Sequence, residues 1–264
     1  MERGVKTSRD RENGLVAVLD ALGASNYSDA EIQRFMRSRQ NVLELLNQKA
    51  EEVLGNIKAG MITTFTFNDT ILIVLRTGSG PTLREITSFF LVLRKFFVDS
   101  LAHRILFRGS IAAGTFYAND DTNTVMGQAV TDAAAWYDKA DWIGIHATPR
   151  TSMYIQRWLE RGGETKAHIM LDYDVPLKAG GSVKAKVLNW PKAFFVQRTS
   201  PCGPGEQPRE KLLECLTASE VPSGTERKFF NALAFFDFAV KKIHREVNRT
   251  DSSNRRRISS AARK

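Results

Sequence analysis

Two segments typical of β-strands are joined by only two residues. Met61–Phe67 and Thr70–Leu75 are rich in β-branched and aromatic residues, and only Asn68 and Asp69 lie between them. A connection of two residues makes the flanking strands antiparallel neighbours in one sheet. Any fold of this chain must therefore contain this hairpin, with Asp69 at its turn.

A strand and a helix precede the hairpin. Leu15–Asp20 is a short apolar run that ends in an acid and a glycine-containing turn, which predicts a buried strand. Ser28 and Glu31 have the spacing of a capping box, and apolar residues at helical spacing continue from there to Leu54. We therefore expect a helix between the first strand and the hairpin.

A second helix and further strands follow the hairpin. Pro81 marks the start of a helix whose wide apolar face covers residues 86–101. Phe107–Gly114 predicts a strand, 115–126 a second hairpin-like segment and Gln128–Lys139 a helix. The order β-α-β-β-α-β predicts an α+β fold of the ferredoxin-like kind, an antiparallel sheet with helices on one face.

The last third of the chain has weaker signals. We expect a strand at Trp142–Thr148, strands near 167–175 and 183–190, and helices near 207–217 and 225–247.

A proline- and glycine-rich segment divides the chain near residue 200. Pro201–Pro208 is typical of a linker. We therefore predict a main domain at 13–200, a C-terminal helical extension at 201–247 and a disordered basic tail at 248–264.

The positive charge of the chain is concentrated at its C-terminus. The net charge is +9, and residues 245–264 hold +5 of it. The rest is only mildly basic, which suits a small phosphate-bearing ligand as well as it suits RNA. No strand carries the aromatic-basic pattern of an RNA-recognition motif, so we do not expect nucleic acid as a partner.

The sequence predicts a cytoplasmic protein with no membrane attachment. No segment approaches the roughly 18 consecutive apolar residues of a membrane-spanning helix, and the N-terminus has no apolar core. The two cysteines, Cys202 and Cys215, lack the partners of a zinc site and fit a reducing compartment.

Two aspartates are placed to meet at one end of the predicted sheet. Asp20 ends the first strand and Asp69 lies in the turn of the neighbouring hairpin. Two carboxylates, with the carbonyl of Ala21, suit Mg²⁺ or Mn²⁺ that also binds water and phosphate. Backbone amides of the turn from Asp20 through Leu22 and Gly23 suit phosphate oxygens. Aspartate is also a common turn residue, so either position has a purely structural interpretation.

Four segments resemble, in order, the motifs of class III nucleotidyl cyclases. Val16–Ala24 is similar to the first metal motif, and Thr66–Leu72 to the second. Arg108–Gly114 resembles the Arg-x-Gly strand, and Gly127–Ala135 the helix that follows it. The resemblance implies that Asp20, Ala21 and Asp69 bind the metal and that Arg108 takes part in catalysis.

The departures from the family pattern concern the base and the transition state. Phe65 and Thr124 stand at the positions that select the base, and neither purine code is present. An aromatic residue there narrows the pocket and favours a pyrimidine that can stack. Thr131 and Ala135 replace the Asn and Arg of the helix, so either Arg108 supplies the positive charge or turnover is weak.

These departures are most similar to the Pycsar pyrimidine cyclases of bacterial antiphage defence. The resemblance implies a homodimer with composite sites that converts UTP, with CTP as the alternative, to the 3′,5′-cyclic monophosphate with Mn²⁺ or Mg²⁺. A purine cyclase and a catalytically silent nucleotide-binding regulator remain as alternatives. Each residue also has a plainer interpretation: Arg108 as a paired edge arginine, Phe65 as core and Thr124 as an ordinary strand residue.

Overall fold

The computed structural model describes residues 11–23, 28–54, 61–78, 80–162, 168–196, 200–218 and 223–261. In chain order its elements are β1 (Glu12–Ala21), α1 (Asp29–Leu54), β2 (Ile62–Phe67), β3 (Thr70–Arg76), α2 (Leu83–Ala102), β4 (Phe107–Asn119), β5 (Thr124–Met126), α3 (Gln128–Tyr137), β6 (Gly144–Ala147), α4 (Pro149–Gly162), β7 (Met170–Pro176), β8 (Ser182–Leu188), a short 3₁₀ helix (Pro191–Phe195), α5 (Pro208–Thr217) and α6 (Glu226–Ala261).

The sheet has the order β2-β3-β1-β4-β6-β8-β7, and β5 pairs with the end of β4. The four strands β2, β3, β1 and β4 are antiparallel neighbours throughout. With α1 and α2 as the crossovers, they form the ferredoxin-like β-α-β-β-α-β unit, as predicted. β6 then adds to β4 in parallel, and the antiparallel β7–β8 hairpin completes the sheet.

Alternating side chains of β1 serve two separate cores. Leu15, Ala17 and Leu19 belong to the large core that α1 and α2 cover. Val16 and Val18 point to the other face and pack in a second cluster with residues of α3. The two helices of the β-α-β-β-α-β unit, α1 and α2, therefore lie on one face, as predicted, and α3, which follows that unit, covers the second face. Ala129 and Ala133 are both buried there, and their short side chains let α3 lie close to the sheet.

Both crossover helices begin with capping interactions. The backbone N–H of Ser28 donates to the Glu31 carboxylate at 2.7 Å, as the spacing predicted. Thr82 and Glu85 form a reciprocal capping box at the start of α2, so this helix begins just after Pro81 rather than at it. The side chain of Thr82 accepts a hydrogen bond from a backbone N–H in the first turn of α2. If Pro81 were the first residue of the helix, such donors would be left to solvent.

The last helix, α6, packs on the far end of the sheet through aromatic rings. Phe235 of α6 meets the ring of Trp142 edge-on, with centroids 5.4 Å apart, and Phe236 lies 6.0 Å from Trp190. Asn231 donates to the carbonyl of Asp141 at 2.6 Å. These contacts fix the start of α6 beside the loop that follows α3.

α6 continues to Ala261 and so gives a helical backbone to most of 248–264, for which a disordered tail is predicted. No glycine or proline, the two residues that most disfavour a helix, interrupts residues 226–261. The division of the chain at residues 200 and 247 stays a prediction. Within the part of the chain that the structure describes, no helix has the length and apolarity required to cross a membrane.

Candidate functional site

Asp20 lies at the end of β1, between the two strands that flank it. It pairs with Thr70 of β3 on one side and with Arg108 of β4 on the other. The alternation of β1 puts its side chain on the α3 face, beyond Val16 and Val18. Only 14% of the side chain is exposed. A carboxylate is therefore held at the rim of the second core.

Asp69 lies in the two-residue turn beside this strand end. The structure confirms the turn, since Phe67 and Thr70 are paired and Asn68 has a left-handed backbone with φ of 50°. The N–H of Ala21 donates to the carbonyl of Asp69 at 3.2 Å. The structure thus brings the two aspartates to one end of the sheet, as their sequence positions indicated.

Arg108 is the centre of the polar contacts at this end. Its Nε donates to Oδ2 of Asp20 at 2.9 Å, and its Nη2 lies 3.2 Å from Oδ1 of Asp138. The guanidinium also lies over the ring of Tyr137, 5.4 Å from its centroid. Lys178 donates to the same Oδ1 of Asp138 at 2.6 Å. Two acids and two bases are therefore connected here, with an aromatic ring beneath the guanidinium.

The pKa shifts follow from this arrangement. Burial raises the pKa of Asp20, Arg108 opposes the shift, and the charges of Asp69 and Asp138 add to it. Burial also raises the pKa of Tyr137, and the charge of Asp20 acts in the same direction. Hydrogen bonding from Lys178 lowers the pKa of Asp138. The ionised form of Asp20 is thus disfavoured, and a cation bound to this carboxylate would stabilise it.

The donor set at this end of the sheet fits a hard cation that keeps part of its own shell. Among the described residues no group of three or more His, Cys, Asp or Glu side chains is placed to hold a metal. Asp20 and Asp69 would supply two carboxylates, and Ala21 a carbonyl next to the first of them. Mg²⁺ and Mn²⁺ are commonly bound in this way, with water and substrate phosphate completing the octahedron.

The loop after β1 offers fewer free amides than the sequence indicated. The N–H of Ala21 is bonded to Asp69, and the N–H of Leu22 donates to the carbonyl of Leu106 at 2.8 Å. Gly23 has a left-handed backbone with φ of 82°, which glycine adopts without strain. Residues 24–27 lie outside the described part of the chain. In the described part of the loop, the proposed phosphate contact thus centres on Gly23.

Phe65 lies on the same face of the sheet as Asp20, but deep within it. The ring is 1% exposed and packs in the second core with Leu72, Val74 and Val18. Its packing is that of a core residue, the plainer of the two interpretations. A contact with the base stays a prediction.

Thr124 is brought next to the edge of β2 that carries Phe65. The side chain of Asn123 donates to the carbonyl of Thr66 at 2.9 Å and accepts from its N–H at 3.3 Å. The hydroxyl of Thr124 donates to the carbonyl of Thr122 at 3.0 Å. The two predicted base-selecting positions thus lie on segments that are tied together by hydrogen bonds.

Sequence reasoning missed Tyr137, Asp138 and Lys178. Residue 137 had the signature of a buried aromatic, and 138 and 178 are forty positions apart. One signal was present in the sequence. Asp138 directly follows α3, and its negative charge interacts unfavourably with the partial negative charge at the C-terminal end of a helix. A residue placed against this preference indicates a compensating partner or a function.

Comparison with known proteins gives distant structural likenesses only. No protein-family model and no curated protein matches the chain. The structure is similar to the adenylyl cyclase CyaB from P. aeruginosa, with 14% identity, a TM-score of 0.44, and coverage of 68% of this chain and 94% of that chain. It is also similar to the catalytic core of a rhodopsin-guanylyl cyclase with converted specificity in complex with ATPαS, with 13% identity, a TM-score of 0.45 and coverage of 68% and 96%.

A third similar structure is the adenylate/guanylate cyclase/hydrolase from Silicibacter pomeroyi, with 15% identity, a TM-score of 0.44 and coverage of 68% of this chain and 97% of that one. Because these identities lie far below 25% and the TM-scores below 0.5, these likenesses assign no function to this chain.

Proposed function

We propose that this protein is a metal-dependent nucleotidyl cyclase. The observation that carries the proposal is the convergence of Asp20, Asp69 and Arg108 at one end of the sheet, with Arg108 bonded to Asp20 at 2.9 Å. In phosphoryl transfer, negative charge must be neutralised on both the attacking and the leaving oxygen. Two carboxylates that can hold a divalent cation, beside the permanent positive charge of an arginine, meet this requirement.

In the proposed reaction the ribose 3′-oxygen bonds to the α-phosphorus of a nucleoside triphosphate. The bond from the α-phosphorus to the bridging oxygen breaks, the hydroxyl proton passes to water and pyrophosphate leaves. Asp20, Asp69 and the carbonyl of Ala21 would hold the divalent cation, which lowers the pKa of the 3′-hydroxyl and offsets phosphate charge. Gly23 would place the phosphates at the end of β1.

Arg108 would stabilise negative charge on the transferred phosphate. Its planar guanidinium has several donors, so it can keep one carboxylate partner while it turns others to phosphate oxygens. The side chain is 14% exposed at the start of β4, where reduced contact with water strengthens its charge interactions. Arg108 would thus supply the positive charge that the family's helix arginine provides, since Ala135 stands at that position on α3 and has no charge.

The substrate is proposed to be a pyrimidine nucleoside triphosphate, with UTP favoured and CTP the alternative. The support is that Phe65 and Thr124 stand where purine cyclases carry their base-selecting side chains. The motif resemblance to Pycsar cyclases further supports a cytoplasmic second messenger made in antiphage defence.

A homodimer with composite sites is part of the proposal. Three large apolar side chains on the β2 and β4–β5 edges support it: Phe67, Tyr117 and Met126 are 42%, 46% and 58% exposed. Tyr117 and Met126 are paired neighbours, so they form a continuous apolar surface. A second copy would cover this surface and bring its own side chains to the base.

A catalytically silent nucleotide-binding regulator is the second candidate. The observation that favours it is that both carboxylate contacts of Arg108 are made within the protein, to Asp20 and Asp138. An arginine that stays in these contacts leaves the transition state without its cation. Such a protein would bind nucleotide and metal and release no pyrophosphate.

The reaction and the base are tested together by incubating the purified protein with ATP, GTP, CTP or UTP and Mn²⁺, followed by mass spectrometry. We expect 3′,5′-cyclic UMP and pyrophosphate from UTP, with less product from CTP. Binding of nucleotide without any cyclic product would favour the silent regulator. A cyclic purine as the main product would overturn the base assignment and leave the cyclase standing.

A further inference from the structure

Arg108 is held between two carboxylates, of which one is a proposed metal ligand and the other is not. Its Nε bonds to Asp20, and its Nη2 lies 3.2 Å from Oδ1 of Asp138. We propose that Asp138, held in place by Lys178, is a positioning residue. It keeps the guanidinium of Arg108 in the site when a divalent cation binds Asp20. The inference rests on the proposed function, since it assumes a cation at Asp20.

Arg108 and a cation compete for the same carboxylate. Oδ2 of Asp20 already accepts from Nε of Arg108 at 2.9 Å, and a divalent ion bound to Asp20 repels the guanidinium. If Asp20 were the only partner, cation binding would leave Arg108 with no carboxylate in a half-buried position. Uncompensated buried charge is costly, so the ion would then bind weakly or the arginine would leave the site.

The contact with Asp138 provides the second partner at the other end of the guanidinium. It engages Nη2, so it can persist while Nε is released toward a phosphate oxygen. The ring of Tyr137 lies under the guanidinium, with its centroid 5.4 Å from Cζ, and attracts the positive charge to that face. Arg108 is thus held at one donor and on one face, and its remaining donors are available to substrate.

Lys178 fixes Asp138 in turn. Its Nζ donates to Oδ1 of Asp138 at 2.6 Å, and its backbone N–H donates to the carbonyl of Lys139 at 2.9 Å. Ala140 and Leu177 form a β-bridge next to these bonds. The turn between β7 and β8 is therefore bound to the segment after α3 by both side chain and backbone.

The ion pair between Asp138 and Lys178 is too exposed to contribute much to folding. The side chains of Asp138 and Lys178 are 64% and 40% exposed, and ion pairs at such positions contribute little to stability. Removing the carboxylate of Asp138 should therefore leave the fold intact, with Asp20 as the remaining carboxylate partner of Arg108 among the described residues. This makes the position suitable for a substitution experiment.

The test is a double-mutant cycle read by Mn²⁺ binding alone, without nucleotide. The four proteins are the unaltered chain, Asp138→Asn, Arg108→Met and the double variant, and calorimetry gives the dissociation constant for each. We expect Asp138→Asn to weaken Mn²⁺ binding at least about threefold more when Arg108 is present than when it is methionine, the coupling typical of residues in contact. Equal weakening in both backgrounds would overturn the proposal, because Asp138 would then act only as a nearby charge.

Asp237→Asn is the matched control. It removes another exposed ion pair of an aspartate, to Arg209 at 3.0 Å, in which the side chains of Asp237 and Arg209 are 41% and 52% exposed. We expect no change in Mn²⁺ binding. If the melting temperature of Arg108→Met shows loss of folding, Arg108→Gln replaces it in the cycle.

Turnover of ATP, GTP, CTP and UTP by the same proteins separates this inference from the proposed function. Coupling in Mn²⁺ binding without a cyclic product from any of the four would overturn the cyclase and support the positioning role. Cyclic product without coupling would overturn the positioning role alone. No saturable Mn²⁺ binding by the unaltered protein would overturn both, since both place the ion at Asp20.

Discussion

Asp20 of β1 and Arg108 of β4 lie directly opposite each other in the sheet and are bonded at 2.9 Å. Both side chains are 14% exposed. The pair brings a permanent positive charge to the strand end where Asp69 adds a second carboxylate, while Ala135 of α3 carries no charge. The proposed chemistry of the protein depends on this relationship.

Arg108→Met should remove most turnover. Loss of a side chain that stabilises developing charge lowers kcat by about 10²-fold in other enzymes, and we expect kcat to fall more than KM rises. Pyrophosphate release from UTP with Mn²⁺ measures both. Arg209→Met is the control, since it removes an exposed arginine–aspartate pair of 3.0 Å to Asp237 on α6. Turnover within twofold of the unaltered protein would exclude Arg108 from catalysis.

Asp20→Asn should stabilise the metal-free protein at neutral pH. Burial raises the pKa of Asp20, so the folded state binds this proton more tightly than the unfolded state does. The stability contributed by this group is then greatest below its unfolded pKa and decreases as pH rises through the folded pKa. The melting temperature of Asp20→Asn should exceed that of the unaltered protein at pH 7, and the difference should shrink on acidification. A lower melting temperature at pH 7 would contradict this.

His146 should make the protein sensitive to mild acid. The side chain is fully buried in β6, and burial lowers its pKa to about 4, with the Gly109 backbone acting in the other direction. The unfolded chain takes up the proton near its usual pKa of about 6.5, so stability falls between that pH and 4 by as much as about 3 kcal/mol. Unfolding in urea at pH 7 and pH 4.5 measures the loss.

His146→Gln should show a smaller loss over this interval, because no imidazole is left to titrate at that position. His244→Gln is the control, at an exposed position of α6. If the control variant and His146→Gln lost the same stability on acidification, His146 would not be the group responsible.

The two positions proposed to read the base should respond in different ways. Phe65→Ala should destabilise the fold by about 3–5 kcal/mol, because the buried ring fills the second core. Thr124→Val should leave stability nearly unchanged and raise KM for UTP by roughly two- to tenfold, the effect of one lost hydrogen bond. Melting curves and steady-state kinetics distinguish these outcomes.

Thr87→Val is the control for Thr124, since the hydroxyl of Thr87 also donates to a backbone carbonyl, that of Leu83, at 2.7 Å. It should leave KM unchanged. An unaltered KM in Thr124→Val would remove Thr124 from the base pocket, and a stable Phe65→Ala protein would contradict the core role of the ring.

The sequence was sufficient for the part of the fold that follows from short-range connections. The two residues between β2 and β3 fix a hairpin, and the β-α-β-β order places it beside β1, so the meeting of Asp20 and Asp69 could be predicted. The position of α3 could not be predicted. Ala129 and Ala133 give a weak helical pattern, which does not indicate which face of the sheet the helix covers.

The rest of the site depends on contacts between distant segments. Asp138 and Lys178 are exposed charged residues at a helix end and a hairpin turn, and such residues are ordinarily solvated. Their contact exists only because β7 and β8 extend the sheet beyond β6 and bring their turn back to α3. Phe65 illustrates another limit, because the same buried ring suits both a core and the wall of a base pocket.

The most direct test of the central claim is cyclisation of UTP by Asp69→Asn, measured as cyclic UMP by mass spectrometry with Mn²⁺ in excess. Asparagine is as compatible with the turn as aspartate, so the hairpin should persist and only the carboxylate is lost. Asp121→Asn, in the exposed turn between β4 and β5, is the control. We expect no detectable product from Asp69→Asn and unchanged product from Asp121→Asn. Undiminished cyclic UMP from Asp69→Asn would contradict a metal site at this end of the sheet.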